Sequence, residues 1–222
     1  MRNTLKAFAG LTALLLGGLA QTAVAQTYEV TVTNITPGQT FTPFIASNHT
    51  AGIRFFKPGR RASAELAELA ESGATDPLKS LLASVPDLAF STAGSDGLLG
   101  PGESVSFTID TADGFRRLSL AAMLIPTNDS FVALDSIRLP DNQATFYVPA
   151  YDAGSELNDE VCANIPGPVC GGEGSSADDG EGFVHISRGI HGIADLDPAA
   201  YDWRNPVARI RVRLMSDEGA EQ

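Results

Sequence analysis

The sequence predicts an all-β protein, an antiparallel β-sandwich of about eight strands with two short helices inserted between early strands. Three observations carry this expectation. Short apolar runs are separated along most of the chain by clusters of Gly, Pro, Asn and Asp, which favour turns. Several of those runs alternate apolar and polar residues with the period of a half-buried strand. Helical periodicity is confined to residues 62–84.

Residues 27–33 read Thr-Tyr-Glu-Val-Thr-Val-Thr, a strict alternation rich in β-branched residues, and predict the first strand. Residues 41–46 and 52–56 are weaker apolar runs placed to pair with it, and Pro58-Gly59 then breaks the chain. In residues 62–71 the period changes. Leu66, Leu69 and Ala70 share one helical face, Ser63 is the expected N-cap and Gly73 the stop. A second helix is expected over residues 77–84, with Asp76 as cap and Pro77 at the first helical position. Strands resume after the glycine-rich residues 94–102. Val105, Phe107 and Ile109 alternate with Ser104, Ser106 and Thr108. Residues 118–125 are almost wholly apolar, as in a central strand covered on both faces. Shorter runs at 131–134, 144–148 and 183–186 follow, and residues 207–214 set an apolar face against arginines.

The N-terminus gives an address. Arg2 and Lys6 precede an apolar run through residue 20, and Ala23-Val24-Ala25 offers small residues for cleavage. This is the pattern of a secretory signal peptide over residues 1–25, and its apolar run is too short for a bilayer span. The remaining chain divides into one domain, residues 26–215, and a flexible acidic tail, residues 216–222. It has no transmembrane segment and is expected outside the cytoplasm, in an extracellular or periplasmic space. Loss of Arg2 and Lys6 takes the net charge from -12 to -14. So acidic a chain repels phosphate backbones, which argues against a nucleic-acid partner. Residues 171–182 are acidic and of low complexity, as in a mobile loop.

Cys162 and Cys170 are the only cysteines. In an oxidising compartment they most simply form one disulfide; a metal or redox pair is the alternative, without a Cys-x-x-Cys or second cluster to support it. Hydrolase signatures such as Gly-x-Ser-x-Gly and His-Glu-x-x-His are absent. His185 and His191 flank a Ser-Arg-Gly-Ile turn and can meet in space, but no third ligand stands at motif spacing. Loop histidines hydrogen-bonded in place explain them as well.

Carboxylates are the richer candidates. Asp110, Asp129 and Asp152 each follow a predicted strand, and Glu156 and Asp159 lie just beyond. A hard cation such as calcium gathers six to eight oxygens from several loops. Ordinary solvated turn aspartates fit the same spacing, and successive antiparallel strands end at opposite poles, which counts against convergence of all three.

Residues 124–136, Leu-Ile-Pro-Thr-Asn-Asp-Ser-Phe-Val-Ala-Leu-Asp-Ser, resemble the Val-Pro-Ser-Pro-Asp-Trp-Phe-Val-Gly-Val-Asp-Ser segment of the spondin domain family. Tyr151-Asp-Ala-Gly matches that family's Tyr-Asp-Ala-Gly. Lys57-Pro-Gly-Arg-Arg-Ala-Ser with Glu68-Leu-Ala-Glu-Ser-Gly, and Pro206-Val-Ala-Arg-Ile-Arg-Val, resemble further motifs in the same order. The resemblance implies an antiparallel sandwich carrying calcium. It places the family's aspartates on Asp129 and Asp152 and an acidic strand end on Asp110; Glu156, by its own position just beyond Asp152, is a possible additional ligand, and Asp135 is read as a structural turn residue. Ser130 stands where the family has Trp, and residues 155–182 depart from the pattern.

The expectation is therefore a secreted, calcium-binding, non-catalytic module for adhesion or for an extracellular ligand, whether protein, glycan or lipid headgroup. A calcium-dependent hydrolase of esters or glycans is the alternative; a deep cleft beside a carboxyl of raised pKa would favour it. Asn34, Asn48 and Asn128 begin Asn-x-Ser/Thr sequons; Asn34 or Asn48 could carry sugar in a source that glycosylates, but such sequons arise often by chance and no modification is assigned.

Overall fold

The computed structural model describes residues 26–175 and 180–215. The expected signal peptide, residues 176–179 of the acidic segment and the expected tail lie outside the described residues. In chain order the strands are β1 (Gln26–Asn34), β2 (Thr40–Phe41), β3 (Ile45–His49), β4 (Ala89–Gly94), β5 (Ser104–Thr111), β6 (Arg117–Ile125), β7 (Ser130–Arg138), β8 (Gln143–Val148), β9 (Ala150–Asp152), β10 (His185–Ile186) and β11 (Ala208–Leu214). Helices α1 (Ala64–Ser72) and α2 (Asp76–Ala83) lie between β3 and β4, and α3 (Pro198–Tyr201) precedes β11.

The strands form two antiparallel sheets. One runs β5-β1-β11-β8; the other runs β10-β9-β7-β6-β3-β4, with β2 also on β6. Alternation in β1 sends Tyr28, Val30 and Val32 inward and leaves Thr31 and Thr33 partly exposed. From the facing sheet, Leu118, Leu120, Ala122 and Leu124 of β6 join the same inter-sheet core. The other face of β6 is also covered. Ala121 packs with Phe131 and Ala133 of β7 beneath Leu66, Leu69 and Ala70 of α1 and Leu78 and Leu82 of α2. Burial on both faces is why β6 reads as an unbroken apolar run.

The first helix forms as its sequence predicts. Ser63 Oγ accepts the Leu66 N–H at 3.2 Å, and Gly73 ends the helix in the left-handed conformation at φ 75°. In the second, Pro77 sits in the first turn but the cap is Thr75, without a side-chain bond, rather than Asp76. Residues 52–56 are not a strand. Arg54 and Phe55 bond to the Asp135 carboxylate, and Phe55 and Phe56 turn into the core beneath α1. Asp135 is accordingly a strand residue of β7, beside the irregular pairing of β6 and β7, rather than a turn residue.

Cys162 and Cys170 form a disulfide with Cα atoms 4.7 Å apart. The loop they close carries Ile165, fully buried, into the inter-sheet core. The sequon asparagines are buried as well. Asn34 Nδ2 donates to Gln39 and Leu99 carbonyls, Asn48 Nδ2 to those of Phe115 and Arg117, and Asn128 Nδ2 to Asp159. A bulky sugar on any of these nitrogens is incompatible with this fold, so none of the three sequons is available in the folded chain.

Candidate metal centre

The centre lies where β6 ends and β7 begins. Pairing of β7 with β9 sets Ser130 opposite Asp152, and pairing of β9 with β10 sets His185 opposite Asp152. Directly opposed residues share a face, so Ser130, Asp152 and His185 form one row across three strands. Asp129 precedes this row, and its carbonyl accepts the Ala153 N–H at 3.1 Å.

Asp129 is fully buried. Its Oδ2 accepts the backbone N–H groups of Ser155 at 2.8 Å and Glu156 at 3.1 Å. Its Oδ1 is enclosed and has no hydrogen-bond partner among the described residues. Burial, and next the Asp152 charge, push the Asp129 pKa up to about 7 against the pull of those two amides. Asp152 is 1% exposed. Its Oδ1 accepts the Gly154 N–H at 2.8 Å and its Oδ2 the Asn158 amide at 2.9 Å. Burial raises its pKa too, with His185 opposing. Glu156, also buried, adds a further charge that raises Asp129. Gly154 makes the turn possible: it sits at φ +63°, and a Cβ there would meet the Phe183 carbonyl oxygen at 2.3 Å.

A second set of donors adjoins Asp152. One ligand atom each from Asp152, Glu181 and His185 lies within 4.8 Å of the others. His185 Nε2 is 3.4 Å from Asp152 Oδ1 and 3.7 Å from Glu181 Oε2. A cavity of ≈140 Å³ opens beside Asp152, lined among others by Ser130, Asn158, Ser187 and His191.

Of the residues expected at the site, the structure brings together Asp129, Asp152 and Glu156, and does not bring Asp110. That side chain is exposed on β5 and accepts the Thr27 hydroxyl at 2.7 Å. The neighbouring Thr111 and Ala112 share a pocket with Arg116 and Leu139, which lie at the starting end of β6 and the far end of β7. Nine residues of β6 therefore separate this pole from Asp129, roughly 25–30 Å at strand rise. The alternation of antiparallel strands wins over the spacing. His185 and Glu181 were not expected as partners of Asp152, because only the β9–β10 register reveals the meeting. His185 joins them rather than His191.

Two antiparallel sheets packed face to face, with a buried carboxylate cluster in the loops of one pole, define a β-sandwich module. The family model described as Spondin_N matches residues 22–157, more than half of the chain, and the chain belongs to that family. It is a family of non-catalytic extracellular modules. No curated protein matches the chain. The matched residues include Asp129, Asp152 and Glu156, and stop short of the disulfide, Glu181 and His185. Among the described residues no helix is long and apolar enough to cross a membrane.

Proposed function

We propose that this chain is a secreted, non-catalytic adhesion or ligand-binding module whose loop pole is fastened by calcium. Asp129 and Asp152 hold the ion, Glu156 adds a third carboxylate, and backbone carbonyls or water complete the oxygen shell. The observation that carries the reading is Asp129 Oδ1, an acceptor buried without a partner in a group of like charges. Such a group is costly alone and is neutralised by a hard dication. The ion ties the turn before β7 to the loop after β9, which leaves the rest of that pole to an extracellular ligand. Asp110 has no place in this set.

The hydrolase alternative needed a cleft beside a carboxyl of raised pKa. Asp129, with its pKa raised to about 7, is enclosed and does not line the cavity; Asp152, raised as well, does line it, but its Oδ1 is held by the Gly154 N–H and its Oδ2 by the Asn158 amide. The cavity, at ≈140 Å³, is also smaller than the roughly 300 Å³ at which small-molecule sites begin.

The test is a melting curve in calcium and in chelator for the wild type and Asp129→Asn. The wild type is expected to gain about 2.7 kcal/mol at a hundredfold excess of calcium over its dissociation constant, and the variant to gain little. A wild type whose midpoint ignores calcium rejects the site.

A further inference from the structure

We propose a second cation position, in which His185 Nε2, Asp152 Oδ1 and Glu181 Oε2 bind a borderline divalent metal of the zinc class. The position needs Asp152 but neither Asp129 nor Glu156, so it does not depend on the calcium reading.

The ring orientation is the first argument. His185 Nδ1 lies 2.9 Å from the Ile186 carbonyl oxygen, which can only accept. The proton of the neutral ring therefore sits on Nδ1, and Nε2 presents its lone pair. Metal-binding histidines are held in this way, with the other ring nitrogen donating to a carbonyl or carboxylate.

The second argument is what Nε2 faces. It is enclosed and has no hydrogen-bond partner among the described residues. Two carboxylate oxygens face it, at 3.4 Å and 3.7 Å. With the ring neutral, three acceptors converge there, the arrangement a cation would bridge. Two donors bonded to one tetrahedral zinc at 2.0–2.1 Å stand about 3.4 Å apart. The His185–Asp152 spacing equals that figure and the His185–Glu181 spacing is 0.3 Å longer, within reach of a small side-chain shift, whereas a direct N–H···O bond would be shorter than either.

The outer partners are also in place. Asp152 Oδ2 accepts from Asn158, and Glu181 Oε1 from Arg188, so both carboxylates are oriented from behind. The donor set selects the metal class: imidazole suits zinc, copper, nickel and iron and is poorly matched to calcium or magnesium. Glu181 and His185 lie outside the residues that match the family model, on a segment that follows the matched region. A metal here would pin that segment to β9.

The experiment titrates zinc and cobalt into chelator-stripped, dialysed protein, comparing the wild type with His185→Gln, Glu181→Gln, His191→Gln and Asp129→Asn. The wild type is expected to bind one zinc and, with cobalt, to show the visible absorption of a low-symmetry, four-coordinate ion. His185→Gln should lose about tenfold or more in zinc affinity and lose the cobalt band, and Glu181→Gln should weaken both. His191→Gln should leave both unchanged. Asp129→Asn should lose the calcium response and keep zinc, which separates the two sites. His185 is on a two-residue edge strand, and its variant should remain folded by circular dichroism. A wild type that binds no zinc, or one whose zinc affinity and cobalt band survive His185→Gln, overturns the proposal and leaves His185 an ion-pair partner of the two carboxylates.

Discussion

The carboxylate of Glu160 accepts the backbone N–H of Gly192 at 2.7 Å, between those of His191 at 2.6 Å and Ile193 at 3.0 Å. The same residue donates its own N–H to Asn128 Oδ1 at 3.2 Å, and its carbonyl accepts the Asp195 N–H at 3.0 Å. Glu160 is 4% exposed. One buried side chain thus fastens residues 191–195 to the turn that carries Asp129.

Removing that carboxylate leaves three amides unsatisfied. Glu160→Ala should cost about 3–5 kcal/mol in urea denaturation, and Glu160→Gln should cost less because one acceptor oxygen remains. A loss under about 1 kcal/mol for the alanine variant would show that water replaces the carboxylate at no penalty.

At the proposed site Asp129 would couple metal binding to pH. Its folded pKa, about 7, lies above the unfolded carboxylate value, so the metal-free fold binds more protons than the unfolded chain between about pH 4 and 7. Stability from this group is full below that window and is lost as pH rises through it. Asp152 shifts in the same direction. In chelator the melting midpoint should therefore be higher at pH 5 than at pH 8, and Asp129→Asn should flatten the difference. Calcium requires the ionised form, so its affinity should fall as pH drops below 7, with proton release on binding. Equal calcium affinity at pH 5.5 and 7.5 contradicts this.

His49 should behave in the opposite sense. It is fully buried, with Nδ1 2.7 Å from the Thr50 carbonyl and Nε2 2.8 Å from Ser119 Oγ. Burial, the dominant influence, holds its pKa below 6.5. Its contribution is full above the unfolded value and is lost as pH falls through the lowered folded value. An NMR titration should place the His49 midpoint below 6.5; a ring already half protonated at pH 6.5 rejects the expectation.

Replacing Cys162 and Cys170 together by Ser opens a small loop, so the cost should stay at or below about 3 kcal/mol. The calcium response should persist, because the proposed ligands lie outside the loop. Loss of that response in a folded double variant would place the disulfide in the site's architecture.

The sequence made β1, β11 and α1 legible because each shows a full period, and β6 because its apolar run is long and unbroken; in α1 both ends are also marked, by Ser63 and Gly73. It concealed β9 and α3, which at three and four residues are too short to show a period. The site divides the same way. Asp129 and Asp152 stand in motifs readable along the chain. Asp110 shared their spacing but not their pole, and His185 shared their pole but not their motif. Both outcomes were decided by strand direction and register, which are properties of pairs of strands.

The place of β11 has a consequence for timing. It lies between β1 and β8, pairing Tyr28 with Leu214 on one side and Val148 with Ala208 on the other. It is the last of the described strands to be synthesised, and β1 is the first. Until residues 208–214 exist, β8 has no neighbour in its sheet and β1 has only β5. Pairing the first strand with the last also gives the contacts a long mean sequence separation, which slows folding. The sandwich therefore closes only after the ribosome has finished β11, and until then the edges of β1 and β8 that β11 will cover stay open.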